Sequence, residues 1–196
     1  MRKQLMTAFL FTIVTTLLLG IAYPLAITLA AHLMMRDKAD GQLIHRDGVL
    51  IGSRVIGQSF TGAAWFKSRP SAAGTGYDAA NSSGSNLGPT NAALVTRVQQ
   101  SVQALQPLHP GVPIPIDLVT ASASGLDPDI TPAAAEYQVA GIARARGLSQ
   151  AQVENLVHAK IQPRQFGFLG EPRVNVLQLN LALQNLTSTT STTAER

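Results

Sequence analysis

The chain has 196 residues, 45% of them hydrophobic and 13% charged, with a formal net charge of +4 and no cysteine. Removing Arg2 and Lys3 from that +4 leaves +2 for the remainder, too little positive charge for a nucleic-acid footprint. The lack of cysteine argues against a tight zinc site and fits an exported domain that needs no disulfides. Aromatic residues make up only 5%, whereas Gly, Pro, Ser, Thr and Asn are frequent, so much of the chain is expected to be ordered loop.

No charged residue occurs between Lys3 and Arg36. A hydrocarbon core roughly 30 Å thick needs about 20 apolar residues at about 1.5 Å rise each, and Leu5 to Leu29 alone supplies them. A cleaved signal peptide has an apolar region of only about 7 to 15 residues, so the length favours a retained anchor even though Ala30-Ala31 offers a small-residue site. Pro24 inside the run is more readily accommodated in a membrane helix than in a soluble core helix. Arg2 and Lys3 stand without an acid on one side, while Arg36 and Lys38 on the other are interleaved with Asp37 and Asp40. That bias places the N-terminus in the cytoplasm and the rest outside. The expected organisation is an anchor over residues 1–35, an extracytoplasmic globular domain of about 150 residues over 36–186, and a disordered Ser/Thr-rich tail over 187–196.

Along the domain, Leu43-Ile44 and Val49-Leu50-Ile51 flank Asp47-Gly48, a pair that favours a tight type I′ hairpin. Val55-Ile56 and Trp65-Phe66 are expected to be extended and partly buried. From Ser68 to Asn91 nearly every residue is a turn former, a long connection that a compact domain tolerates when it has a function. Leu94, Val95, Val98, Val102 and Leu105 predict a helix over about Ala92–Gln106, capped by Thr90 or Asn91 and followed by Pro107. Ile114 to Val119 predicts a strand. Thr131-Pro132 opens a further helix that Gly147 stops, and Ser149 with Gln152 forms a capping box that opens another through Ile161. Val174 to Leu186 fits both periods. Asn175 with Gln178 as a capping box, together with Leu, Gln and Ala, favours helix.

The familiar catalytic patterns are missing. No Gly-x-x-x-x-Gly-Lys-Ser/Thr and no Gly-x-Gly-x-x-Gly follows a strand, and His32, His45, His109 and His158 are scattered. Ser83-Gly84-Ser85-Asn86 has the look of a Ser-x-Asn element of penicillin-recognising enzymes, but neither Ser-x-x-Lys nor Lys-Thr-Gly accompanies it. Turn chemistry alone accounts for such a loop equally well.

Four strings carry a resemblance: Ile56-Gly-Gln-Ser-Phe60, Phe66-Lys-Ser-Arg-Pro-Ser-Ala72, Ser83-Gly-Ser-Asn-Leu-Gly-Pro-Thr-Asn91 and Val119-Thr-Ala-Ser-Ala-Ser-Gly-Leu-Asp-Pro128. In that order behind one anchor, and with Gly167-Phe-Leu-Gly170 and Val174 to Leu183 at the end, the chain resembles the C subunit of the Kdp-type potassium-transporting ATPase. The resemblance implies an accessory, non-catalytic subunit of a high-affinity potassium-uptake complex in the cell inner membrane. Its implied partners are a channel-like potassium-binding subunit, a P-type ATP-hydrolysing subunit, a small single-helix subunit and the lipid bilayer. It also implies a catalytic-chaperone role that raises the pump subunit's ATP affinity, with ATP reached through that subunit rather than by a bound cofactor.

Two departures from the family pattern stand out: Gly141 where the family commonly has Arg after the Gln-x-x run, and Asp129 where many members have His or Asn. Arg144 or Arg146 could substitute for the first. The alternative reading is an independent membrane-anchored periplasmic binding or hydrolytic module. The expected fold class is α/β, in the α+β sense, behind a single transmembrane helix. No catalytic or metal-ligating residue is expected. The candidate partner contacts are Gln58, Arg69, Ser83, Gly84, Ser85, Asn86, Asn91, Ser124, Gly125 and Asp127.

Overall fold

A computed structural model describes the backbone of residues 1–194 and the side chains of residues 1–186. The Ser/Thr-rich tail expected over 187–196 lies outside the residues whose side chains are described. The chain divides into two compact units, Met1–Ile51 and Gly52–Arg196.

In the first unit, helix α1 (Arg2–Thr15), a π-helical stretch (Thr16–Ala22) and helix α2 (Tyr23–Met34) run on without a break, giving a 33-residue helix long and apolar enough to cross a membrane. Pro24 explains the π stretch. Proline has no N–H to donate, and its ring crowds the carbonyl four residues earlier. Widening the preceding turn relieves that crowding, and the Tyr23 N–H accordingly bonds Leu18 O, five residues back. The threonine hydroxyls of α1 return to the helix's own carbonyls, Thr7 to Lys3 O at 3.0 Å and Thr12 to Ala8 O at 2.9 Å, which pairs those hydroxyls without water. None of this helix is buried by protein.

Beyond it, α3 (Arg36–Ala39) leads into a hairpin of β1 (Leu43–Arg46) and β2 (Val49–Ser53). Asp47 at φ 52° and Gly48 at φ 78° make the turn the dipeptide predicts.

The second unit is a helix and sheet domain. Its helices are α4 (Ala92–Leu105), α5 (Pro132–Arg146), α6 (Gln150–Lys160) and α7 (Val176–Ala194). Three very short strands, β3 (Asp129–Ile130), β4 (Ile161–Gln162) and β5 (Arg173–Asn175), pair antiparallel in the order β3-β5-β4. Val174 is opposite both Ile130 and Ile161. Around it close Phe66, Ala134, Val139, Ile142, Val153, Val157, Leu179 and Leu183, which with their neighbours make the core of the unit among the described residues.

The caps read from the sequence form as expected. Asn91 Oδ1 accepts from Ala93 N, Thr131 Oγ1 from Ala134 N, and Ser149 with Gln152 completes a capping box. Gly147, at φ 66°, ends α5.

Three expectations are corrected. Ile114 to Val119 is not a strand but contains a 3-10 turn, Ile116–Leu118, because Pro113 and Pro115 cannot donate to a ladder and Asp117 turns inward to accept from Thr131 N at 2.8 Å. Val55 and Ile56 lie in a turn, 52% and 37% exposed, rather than partly buried and extended. At Val174 the expected helix is preceded by a strand, since residues 173–175 form the centre of the sheet, and Asn175 caps the helix as its spacing from Gln178 predicts, accepting from Gln178 N at 3.1 Å.

Residues 54–91 contain no helix or strand, yet Phe66 within them is fully buried. Its backbone is paired by a side chain. Asn180, 1% exposed on α7, accepts from Phe66 N and donates to Phe66 O, both at 2.9 Å. Gln138 on α5 does the same for Lys67, accepting from its N–H at 2.7 Å and donating to its carbonyl at 3.2 Å. Asn180→Leu, of similar volume, would strand both Phe66 groups, so unfolding free energy measured by denaturant titration is expected to fall by about 3 kcal/mol, at about 1–3 kcal/mol for each buried group left unpaired.

Candidate interaction surface

Arg69 begins the polar loop that follows the Phe66–Lys67 clamp. Its guanidinium spans the facing loop: Nε donates to Thr120 O at 3.4 Å, and Nη2 donates to Thr120 Oγ1 at 3.3 Å and Ala121 O at 3.4 Å. Nη1 lies 3.4 Å from Asp127 Oδ2 and 3.8 Å from Asp117 Oδ1. With its side chain 24% exposed and two carboxylates beside it, Arg69 acts as a brace between loops rather than as an open anion site. Tyr77 Oη donates to Arg69 O at 2.6 Å, and Ser71 Oγ accepts from the N–H groups of Ala73 and Tyr77, so the loop folds back on the arginine.

The two Ser/Gly strings meet backbone to backbone. Ser82 Oγ donates to Ser124 O at 3.0 Å. A Cβ added at Gly84 would lie 2.7 Å from Ala123 O, and one at Gly125 would lie 2.5 Å from Ser83 O and 2.7 Å from Ala73 N. Gly125 also sits at φ 68°, so both space and backbone demand glycine there. Ser124 Oγ accepts from Leu126 N, Asp127 Oδ1 accepts from Asp129 N at 3.1 Å, and Gly57 N donates to Leu126 O at 2.7 Å. Gln58 O accepts from Ser68 Oγ at 3.4 Å.

Of the ten residues singled out in the sequence, Gln58, Arg69, Ser83, Gly84, Ser124, Gly125 and Asp127 therefore belong to one connected loop cluster. Ser85 and Asn86 continue from it, Asn86 exposed at φ 50°. Asn91 stands apart as the α4 cap.

Sequence reading missed Asp117, Thr120 and Tyr77, all partners of Arg69 or its backbone. A lone acid inside the apolar run Ile114 to Val119 was the available signal for Asp117. It also missed the link from Asp129: Arg173 Nε lies 2.9 Å from its Oδ2, and Asn175 Nδ2 donates to its Oδ1 at 2.9 Å. Gly141 is exposed with open space around it, whereas Arg146 reaches back to the clamp region. There Arg146 Nε donates to Ala64 O at 2.6 Å and its guanidinium carbon sits 4.3 Å from the Trp65 ring centre. Burial holds the Arg146 pKa below its ordinary value. Among the described residues, no three His, Asp or Glu side chains converge as a metal site. The cluster offers shape and hydrogen-bonding groups on a locked scaffold, which is equipment for recognition.

The profile of the family described as the c chain of the K+-transporting ATPase, KdpC, matches residues 5–185. The chain belongs to that family. A protein of Koribacter versatilis (strain Ellin345) named potassium-transporting ATPase KdpC subunit is 62% identical over 183 residues, covering 93% of this chain and 95% of the relative. Proteins with the same name from Acidobacterium capsulatum and Rhodospirillum rubrum are 55% and 52% identical, covering 94% and 93% of this chain and 99% and 96% of their own lengths. The family match includes the long apolar helix from Leu5 onward, both Ser/Gly loops and the whole β3-β5-β4 sheet.

Two outcomes test the cluster. Gly125→Ala should lower the unfolding free energy by about 1–3 kcal/mol, because the new Cβ meets backbone on two sides at a left-handed φ. The second concerns Asp129. Burial is the main cause of its raised pKa, with the Asp127 charge adding and Asn175 and Arg173 opposing. The folded state thus holds this proton more tightly than the unfolded chain, so the contribution is fully present below the ordinary value of 3.8 and is lost as pH rises through the folded value. Asp129→Asn keeps an oxygen for Asn175, and its stability relative to the parent should climb as pH rises from about 4 toward 7, read from denaturation curves across that range.

Proposed function

We propose that the chain is the accessory, non-catalytic subunit of an ATP-driven potassium-uptake complex, held in the cell inner membrane by the helix Arg2–Met34. The observation that carries the reading is the family match over residues 5–185. The printed names of the relatives, each a subunit of a potassium-transporting ATPase, support it. In this reading the N-terminus is cytoplasmic and the domain from Gly52 is periplasmic, on the strength of Arg2 and Lys3 against the balanced Arg36, Asp37, Lys38 and Asp40. Its partners are the channel-like potassium-binding subunit, the P-type ATP-hydrolysing subunit and the small single-helix subunit.

A periplasmic domain cannot share a nucleotide site with a cytoplasmic pump domain. The rise in ATP affinity therefore travels as a conformational bias, through the anchor helix and the potassium-binding subunit. The Ser83–Asn91 and Ser122–Pro128 loops are the contact surface, and Arg69 holds them in one shape. Asp127 has internal duties to Arg69 and Asp129, so its removal mixes stability with contact. Asn86 separates the two, being exposed.

Affinity purification from detergent-solubilised membranes is expected to recover this chain with large polytopic partners. Recovery of the chain alone would count against the subunit reading. A periplasm-dependent reporter fused after residue 196 should be active, and a cytoplasmically active fusion would reverse the topology. Asn86→Gly, which removes the side chain at a φ that glycine accepts freely, should leave the thermal melt within about 0.5 kcal/mol of the parent while assembly or potassium-stimulated ATPase activity drops. Normal assembly would move the contact surface elsewhere.

A further inference from the structure

Between the paired residues Gln162 and Arg173 the chain forms a projecting hairpin that the loop cluster does not use. Residues 163–171 are all exposed. At the tip, Phe166 is 78% exposed, Phe168 70% and Leu169 47%, and no charge occurs between Arg164 and Glu171. Two bare phenylalanines on either side of Gly167 in one turn are unusual on a surface that touches only water.

We infer that this tip inserts into the headgroup layer of the bilayer, resting on the membrane-anchor reading above and giving the domain a second point of contact with lipid. Four observations favour lipid over a protein pocket. The exposed apolar surface of the three side chains is roughly 350 Å², less than half of the roughly 800 Å² that a stable protein interface takes from each partner. A bilayer needs no such matching area, and the anchor in the same chain supplies the proximity.

Much of the backbone of the tip is already paired within itself. Gln165 and Leu169 exchange two bonds of 2.9 Å, Gly167 N donates to Arg164 O at 3.1 Å, and Phe168 N donates to Gln165 O at 3.3 Å. Pairing its own amides lowers the cost for a segment entering low dielectric, and the N–H groups of Gln165, Gly167, Phe168 and Leu169 are so paired. Finally, Arg164 Nη2 and Glu171 Oε2 pair at 2.6 Å at the base. That ion pair stays in water and sets the depth. From the Gln165–Leu169 bridge to the turn is about two residues, or roughly 7 Å at strand rise, within the roughly 5–10 Å of interfacial insertion.

The experiment uses the full chain reconstituted in phosphatidylcholine and phosphatidylglycerol vesicles. Because the chain has no cysteine, Leu169→Cys accepts a single environment-sensitive fluorophore, and Gln103→Cys on the exposed face of α4 serves as the reference site. The expected result is co-flotation with the vesicles, a blue-shifted emission at position 169 and its quenching by doxyl-labelled lipid, with neither change at position 103. Adding Phe166→Ser and Phe168→Ser should abolish the shift and the quenching without altering the thermal melt. Flotation with an unquenched, water-like emission at position 169 would overturn the inference while leaving the anchor intact. Shielding that arises only in the assembled complex and without lipid quenching would overturn it in favour of a protein pocket. Failure to float would overturn both readings.

Discussion

A buried stretch of backbone with no neighbouring strand must find its hydrogen bonds in side chains, and in this domain that requirement falls on Phe66, with the exposed Lys67 beside it paired in the same way. Phe66 is at the centre of the core, but it arrives on a segment without regular structure. Asn180 and Gln138 take the place of a missing strand, each presenting an amide that donates and accepts as a peptide group would. Because the two amides come from α7 and α5, the same bonds fix where those helices lie against the loop. Arg69, two residues past the clamp, is thereby delivered to Asp117, Thr120 and Asp127. The loop cluster is thus an extension of the core's hydrogen bonding.

Features set by neighbouring residues could be read in advance. The uncharged run from residue 4 to residue 35, the Asp47-Gly48 turn, the caps at Asn91, Thr131 and Ser149 and the stop at Gly147 each depend on a few adjacent positions. What escaped depends on distance. The clamp joins residues 114 and 71 positions apart, and nothing in a local window announces that Asn180 faces Phe66. The strands β3 and β4 are two residues long, too short for an alternating pattern to exist. Ile114 to Val119 has an apolar composition that suggests a strand, and Pro113 before it, Pro115 within it and the inward acid Asp117 convert it to a turn. The site divided along the same line. Its glycines and serines were visible as a string, whereas their contact across residues 82–84 and 122–125 required the fold.

The loops also show why a polar, glycine-rich sequence need not be mobile. Gly84 and Gly125 are placed where another backbone passes too close for a Cβ, so their small size permits a contact that in turn removes freedom from the chain. Rigidity of this kind favours recognition. A preformed loop loses little conformational entropy on docking, and more of its contact energy remains as affinity.

In the proposed role, a subunit that lacks a nucleotide site changes the nucleotide affinity of another on the opposite side of a membrane. Linkage sets the terms for such an effect. If docking of this chain favours the pump conformation that binds ATP more tightly, ATP must favour docking of this chain by the same factor, because both act on one equilibrium. A tenfold change in affinity corresponds to only about 1.4 kcal/mol, within reach of a few hydrogen bonds formed in one conformation and not in the other. The requirement on the accessory domain is then stiffness rather than chemistry. A contact that yields as its partner moves transmits no preference, whereas loops braced by Arg69 and tied to the core through Asn180 and Gln138 hold their shape and make the two conformations unequal in energy.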